Sequence, residues 1–292
     1  MQIKALLAEA SAQLNSDEAA FEAQLLLQHV FNVNRAWLIA HQNDALQPNI
    51  YAAYRALLER RIAGEPIAYI LGYREFYGLK LTETPATLIP RPDTETLVDA
   101  ALAKISQTNQ SHILDLGTGT GAIALAIAHN RPNAHIIAAD ASQAALTVAI
   151  ENAQNLQISN VTFVLSDWFS AFNNQKFDVI VSNPPYIAQD DFHLTSGDLP
   201  WEPISALVPR QSFSLENKNV QKEDSFEDGL SAIKQIILGA PVHLNAGGWL
   251  MLEHGYDQAN AVAALLKQAG FMAIETIKDL GGNHRVTLGQ LS

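Results

Sequence analysis

His112-Ile113-Leu114-Asp115-Leu116-Gly117-Thr118-Gly119-Thr120-Gly121 runs directly into Ala122-Ile123-Ala124-Leu125-Ala126-Ile127-Ala128. A short apolar run, a glycine-spaced turn and an alanine-rich run predict a strand, a tight loop and a helix. Such units build parallel α/β sheets. The glycines let the backbone turn sharply and let a ligand approach with no Cβ in the way. The helix start offers unpaired N–H groups and the positive end of its dipole. A second strand, His135-Ile136-Ile137-Ala138-Ala139, ends at Asp140, where an acid can accept both hydroxyls of a ribose. These residues describe an adenosine-type nucleotide site.

The glycine loop alone leaves the nucleotide open. Gly117, Gly119 and Gly121 with Ala122 also satisfy the looser dinucleotide fingerprint. Two features favour S-adenosylmethionine. Asp115 lies just before the glycines, where a carboxylate can meet the ligand's ammonium group. The third strand, Val161 to Ser166, ends in Asp167-Trp168. That pair offers an acceptor to an adenine amino group and an apolar ring beside it.

The fourth strand, Phe177-Asp178-Val179-Ile180-Val181-Ser182, runs into Asn183-Pro184-Pro185-Tyr186. Proline lacks the ladder N–H and fixes φ, so the strand stops there. The residue before a proline is held extended. Asn183 and the Pro184 carbonyl therefore sit on a stiff corner at the carboxyl end of a strand, where open α/β sheets bind ligands. Two oxygens side by side can grip both hydrogens of a planar –NH2 group, and Tyr186 adds a flat face for it. The plainer alternative is a proline-rich loop that only ends a strand.

Asp115 to Gly121, Asp140, Asp167-Trp168 and Asn183 to Tyr186 resemble the amino-methylating class I S-adenosylmethionine-dependent methyltransferases. Three more stretches narrow the resemblance to the peptide chain release factor N5-glutamine methyltransferases: Arg60 to Gly72, Glu75 to Leu79, and Leu88-Ile89-Pro90-Arg91-Pro92-Asp93-Thr94-Glu95. Leu252-Glu253-His254-Gly255 and Asn283 to Thr287 fit as well. The stretch from Pro209 to roughly Phe226 departs from the pattern as a polar insertion. The resemblance implies that S-adenosylmethionine is held by Asp115, Gly117, Thr118, Gly119, Thr120, Gly121, Asp140, Asp167, Trp168 and Asn183. It implies catalysis at Asn183, Pro184, Pro185 and Tyr186. The implied substrate is the glutamine of the Gly-Gly-Gln loop of class 1 peptide chain release factors. From the residues alone the group is only a planar –NH2, which adenine N6 and guanine N2 also present. A nucleic-acid base methyltransferase and a non-catalytic nucleotide-binding adapter remain the alternatives.

Composition bears on these choices. The chain has 292 residues, 48% hydrophobic and 16% charged, as expected of an ordered protein able to bury two cores. With no cysteine there is no disulfide, thiolate metal site or Cys nucleophile. The N-terminus lacks the charged and apolar regions of a signal peptide, and the apolar segments are short, so a cytoplasmic protein with no membrane contact is expected. Net charge is −12. Met1 to Glu65 carry five Lys/Arg against seven Asp/Glu, and the remainder 13 against 23. Phosphate tracking needs a basic face; a protein partner is expected rather than a nucleic acid.

The predicted organisation is a helical substrate-recognition domain over 1–72, a β-hairpin linker over 73–90 and a methyltransferase domain over 91–292. The helical part shows apolar spacing at Ile3, Leu6, Leu7, Ala10 and Leu14, an N-cap at Ser16, and a core face including Phe21, Leu25, Val30 and Phe31. Asn34 is expected to cap a short helix, and a longer one runs from Pro48 to Ile62 with Tyr51, Tyr54, Leu57 and Leu58 inward. In the last part, strands are expected near 112–116, 135–139, 161–166, 177–182, 248–253, 273–278 and 285–289. This is α/β: a doubly wound seven-stranded methyltransferase sheet with a final antiparallel strand. Ser212 to Asp228 reads as a mobile polar loop. His254 and His284 read as structural, and Arg91 as a brace.

Overall fold

The structure, a computed structural model, describes residues 1–209 and 229–292. Apart from Pro209, the polar insertion expected near 209–226 and the loop expected from Ser212 to Asp228 lie outside the described residues. The chain divides into two units, Met1–Tyr73 and Arg74–Ser292.

The first unit contains helices α1 (Ile3–Gln13), α2 (Ala19–Phe31), α3 (Arg35–Ala40), α4 (Pro48–Ile62) and α5 (Ile67–Leu71). Its core is built on Ile3, Leu6, Leu26, Leu27, Tyr54 and Leu58. Asn34 caps α3 by accepting the Trp37 N–H at 2.9 Å. Ser16 caps no helix: its Oγ accepts the Glu18 N–H in a turn, and α2 starts at Ala19. That hydroxyl also donates to Glu22, which is buried and paired with Arg61. Phe21 and Tyr51, expected inward, are exposed. The core faces fall instead on Ala23, Leu26 and Leu27 of α2 and on Tyr54 and Leu58 of α4.

The hairpin expected between Tyr69 and Ile89 is β1 (Tyr73–Phe76) and β2 (Leu79–Thr82). Its two turn residues, Tyr77 and Gly78, have φ of 50° and 75°, as a tight primed turn requires. The second unit continues with a 3₁₀ turn (Pro92–Thr94), α6 (Glu95–Lys104), β3 (His112–Leu116), α7 (Ala122–Asn130), β4 (His135–Asp140), α8 (Gln143–Asn155), β5 (Val161–Leu165) and β6 (Phe177–Ser182). After α9 (Ile204–Leu207) come α10 (Ser231–His243), β7 (Leu244–Glu253), α11 (Ala259–Gln268), β8 (Met272–Lys278) and β9 (His284–Gln290).

The seven strands order as β5-β4-β3-β6-β7-β9-β8. Pairing is parallel up to β7, and β9 runs antiparallel to both its neighbours. Alternate residues of each strand enter opposite layers, as the pleat dictates. Ile113, Ile136 and Val179 pack with α6 and α7, while Leu114, Ile137 and Ile180 pack with α10 and α11. The sheet is therefore covered on both faces. β7 starts four residues earlier than the apolar run from Gly248 suggests, because an irregular register next to Phe177 accommodates Asn245 to Gly248.

Candidate functional site

The order of strands reverses between β3 and β6, and loops at the carboxyl ends of an open sheet spread apart at such a point. A cavity of about 650 Å³ lies there. Its walls include Gly117 and Gly119 after β3, Asp140 and Ser142 after β4, Asp167 and Trp168 after β5, and Asn183 and Pro185 after β6. Ala86, Thr87 and Leu88 close one side.

The glycine loop is fixed by backbone bonds. Gly117 and Thr118 N–H groups both donate to the Ala139 carbonyl, at 2.8 and 2.9 Å. Gly117 and Gly119 have φ of 72° and 57°, which favours residues without a Cβ, and both face the cavity. Asp140 accepts the Gly119 N–H on Oδ2 at 2.9 Å and the Ser142 N–H on Oδ1 at 2.8 Å. The carboxylate thus ties the glycine loop to the start of α8 while lining the cavity. A carboxylate oxygen can accept more than one hydrogen bond, so a ligand hydroxyl can share these acceptors.

Four residues expected to touch the nucleotide are not in the cavity wall. Asp115 is fully buried behind the loop. Its Oδ2 accepts from Thr118 Oγ1 at 2.7 Å, its Oδ1 has no partner, and burial pushes its carboxyl up to about 7. Thr118 is turned inward by that bond. The Thr120 carbonyl accepts from Asn152 Nδ2 at 3.0 Å. Asn152 also takes the Thr82 N–H at 2.6 Å, which pins the hairpin to the glycine loop. Gly121 is required by packing: a Cβ there would meet Leu125 Cδ1 at 3.0 Å and Ala149 Cβ at 3.3 Å. These residues shape the loop from behind.

Asp167 and Trp168 line the cavity. Trp168 has φ of 46°, and the Ser166 hydroxyl holds it by donating to its carbonyl at 2.7 Å. The indole lies 3.9 Å from where a Gly117 Cβ would stand, so the ring sits over the glycine loop.

At the end of β6, the Ser182 hydroxyl donates to the Leu116 carbonyl at 2.7 Å and joins the tips of β6 and β3. Asn183 follows on the cavity wall. Its Nδ2 donates to Thr94 Oγ1 at 3.2 Å, which leaves Oδ1 to accept from elsewhere. Pro184 is buried and Pro185 faces the cavity. Tyr186 departs from the expectation that its ring backs a planar group: the ring packs with the α10–α11 core layer. Its hydroxyl donates to Glu253 Oε1 at 3.2 Å, and burial raises its pKa.

Sequence reasoning gave no role to Thr94 or Glu253, although both fall in quoted motifs. Thr94 is 89 residues from the Asn183 it orients, and nothing local announces such a pair. Arg91 pairs with Glu202, whose Oε2 accepts the Ile89 N–H at 2.9 Å; the pair braces the loop that closes the cavity. His254 is buried with both ring nitrogens engaged, by the Gly255 carbonyl at 2.8 Å and Thr287 Oγ1 at 2.7 Å. Burial lowers its pKa, so it is neutral. His284 is exposed on β9. Among the described residues no cluster of His, Asp and Glu could hold a metal ion, and no helix is long and apolar enough to cross a membrane.

Residues 5–72 match the family described as PrmC N-terminal domain, and residues 94–198 that described as Methyltransferase small domain. A release factor glutamine methyltransferase of Xylella fastidiosa (strain Temecula1) is 44% identical, with 98% of this chain and 97% of that one covered. The protein of that name from Escherichia coli (strain K12) is 45% identical, with 99% of each covered. A methyltransferase structure from Pyrococcus furiosus superposes with a TM-score of 0.52 at 18% identity, over 80% of this chain and 96% of that one, a likeness of fold. By full-length similarity, this chain belongs to the release factor glutamine methyltransferase family.

Proposed function

We propose that the protein methylates the side-chain amide nitrogen of the glutamine in the Gly-Gly-Gln loop of class 1 peptide chain release factors, using S-adenosylmethionine. The observation that carries this reading is Asn183. Its amide nitrogen is tied to Thr94 and its side chain stands on the wall that also holds Gly117, Gly119 and Asp140.

The residues fit the cofactor. Gly117 and Gly119 leave room where a Cβ would intrude, Asp140 places a carboxylate where a ribose hydroxyl can meet it, and Asp167 with Trp168 suits an adenine. Asp115, Thr118, Thr120 and Gly121 hold the loop in shape. S-adenosylmethionine, when bound, supplies an electrophilic methyl group on a positively charged sulfur.

The chain's own task is to present the nucleophile. An amide nitrogen is weak because its lone pair is shared with the carbonyl. Asn183 Oδ1 and the Pro184 carbonyl accept its two N–H bonds, fix it in place and stabilise the positive charge that develops on it. Holding both reactants in attack geometry supplies about 7–11 kcal/mol of the barrier. Tyr186 acts from behind the corner, through Glu253. We assign residues 1–72 to recognition of the release factor, 73–90 to a linker and 91–292 to catalysis, in the cytoplasm where translation occurs. The net charge of −12 supports a protein partner over a nucleic acid.

The test is incubation with labelled S-adenosylmethionine and, separately, release factor, DNA and ribosomal RNA. Label on the release factor, abolished by Gln→Ala in its loop, is expected. Label only on nucleic acid would replace this function with base methylation, and no label anywhere would leave a nucleotide-binding adapter.

A further inference from the structure

Which end of an Asn carboxamide faces a ligand is decided by the partners behind it. Behind Asn183 stands Thr94, 3% exposed, whose Oγ1 receives the Asn183 Nδ2 bond at 3.2 Å. The Thr94 hydroxyl in turn lies near enough to the carboxylate of Glu253, at the end of β7, to help hold its pKa down. Glu253 is 1% exposed; its Oε1 accepts from Tyr186, and its Oε2 makes no hydrogen bond of its own. A buried carboxylate oxygen without a partner is costly, and it draws any proton within reach.

A hydroxyl has one proton to give. If Thr94 gives it to Glu253, Thr94 can meet Asn183 only as an acceptor, and the Asn183 –NH2 must face Thr94. If Thr94 gives it to Asn183, the carboxamide turns over and presents –NH2 to the cavity. The second arrangement sets donor against donor when a substrate carboxamide arrives.

We propose that Glu253 is a positioning residue which, acting through Thr94, keeps the Asn183 oxygen turned toward the substrate nitrogen. This rests on the assignment of Asn183 as the substrate's acceptor. The groups facing Glu253 are Thr94 and Asp93 of the 3₁₀ turn, Tyr186 after β6 and Arg285 on β9; its neighbour His254 is neutral. Burial pushes the Glu253 carboxyl up to about 7, while Thr94, Arg285 and Tyr186 pull it back down. Protonated Glu253 donates to Thr94, the Thr94 proton then turns to Asn183, and the carboxamide flips. Turnover is therefore full with Glu253 ionised and falls as pH drops through about 7.

The experiment measures kcat on intact release factor from about pH 6 to 9, with the Kd for S-adenosylmethionine and a thermal melt, for wild type, E253Q, T94V, T94S and N183A. E253Q mimics the protonated acid; it should lose about tenfold or more in kcat, keep cofactor affinity and lose the acid limb. T94V should lose kcat similarly, and T94S should restore most of it together with the limb. If E253Q fails to fold, the contrast between T94V and T94S decides. Wild-type kcat in E253Q and T94V, or an unaltered acid limb in E253Q, with N183A inactive, overturns the relay but leaves Asn183 as the acceptor. Full kcat in N183A removes the acceptor and the relay with it.

Discussion

Asp140→Asn separates a carboxylate that builds the site from one that merely borders it. The native side chain accepts two backbone N–H groups, from Gly119 at 2.9 Å and Ser142 at 2.8 Å. Asparagine has nearly the same shape but one acceptor oxygen. One N–H must then face an –NH2 group and lose its partner. An unsatisfied buried donor costs about 1–3 kcal/mol; Asp140 is only half-buried, so water recovers part of this and about 1–2 kcal/mol is expected. For a unit of this size that corresponds to a fall in Tm of about 2–8 °C. Binding should suffer more than folding. Hydrogen bonds from ligand hydroxyls to a charged acceptor are worth about 1.5–3 kcal/mol each, and the loop they meet is displaced as well. The Kd for S-adenosylmethionine and for S-adenosylhomocysteine should rise about 10- to 100-fold by calorimetry. Equal loss for both ligands would place the effect on the shared adenosine part. Wild-type Kd for both in a normally folded D140N protein would refute the role given to this carboxylate.

Gly121→Ala must hold φ near 84° and press on Leu125 and Ala149; it should cost about 2–4 kcal/mol in urea unfolding. Gly119→Ala meets nothing within 4 Å and should lose only about 1 kcal/mol of stability, while its methyl enters the cavity and weakens cofactor binding in the same calorimetric assay. Glu22→Ala removes the two bonds that Arg61 donates to Glu22 from Nε and Nη2, while Arg61 keeps the Gly64 and Glu65 carbonyls; denaturation should show a loss of about 1–3 kcal/mol, with unchanged cofactor Kd. Glu83 is buried with neither oxygen bonded, and burial raises its carboxyl from 4.5 to about 9. The folded state therefore binds this proton more tightly than the unfolded chain, and stability falls as pH rises between about 4.5 and 9. Glu83→Gln should flatten that slope and gain about 1–3 kcal/mol at pH 9 in paired urea titrations at pH 6 and pH 9.

The sheet was legible because its signals are local. Strand alternation, the Gly117–Gly121 turn and the stop at Pro184 each sit within a few residues. Gly117, Gly119, Asp140, Asp167, Trp168 and Asn183, all named from such local signals, stand in the cavity wall. Distinguishing the wall from its backing was harder. Asp115, Thr118, Thr120 and Gly121 share a motif with the lining glycines, yet Thr118 turns inward to Asp115, and the Thr120 carbonyl and Gly121 meet Asn152 and Ala149 on a helix that follows in sequence. Tyr186 was misread for the same reason: its hydroxyl finds Glu253, 67 residues away. Thr94 and Glu202 act through pairs 89 and 111 residues apart, which no periodicity can announce. The Ser16 cap failed because a side chain that can cap a helix can equally close the turn before it.

The central claim is that the Asn183 carboxamide oxygen grips the nitrogen to be methylated, beside the glycine-lined cavity. Its most direct measurement is single-turnover methylation of release factor by Asn183→Ala, with the cofactor Kd taken on the same preparation. The expected result is a methylation rate lower by about 10²–10³ with cofactor affinity within a few-fold of wild type. A near-wild-type rate at unchanged affinity would contradict it.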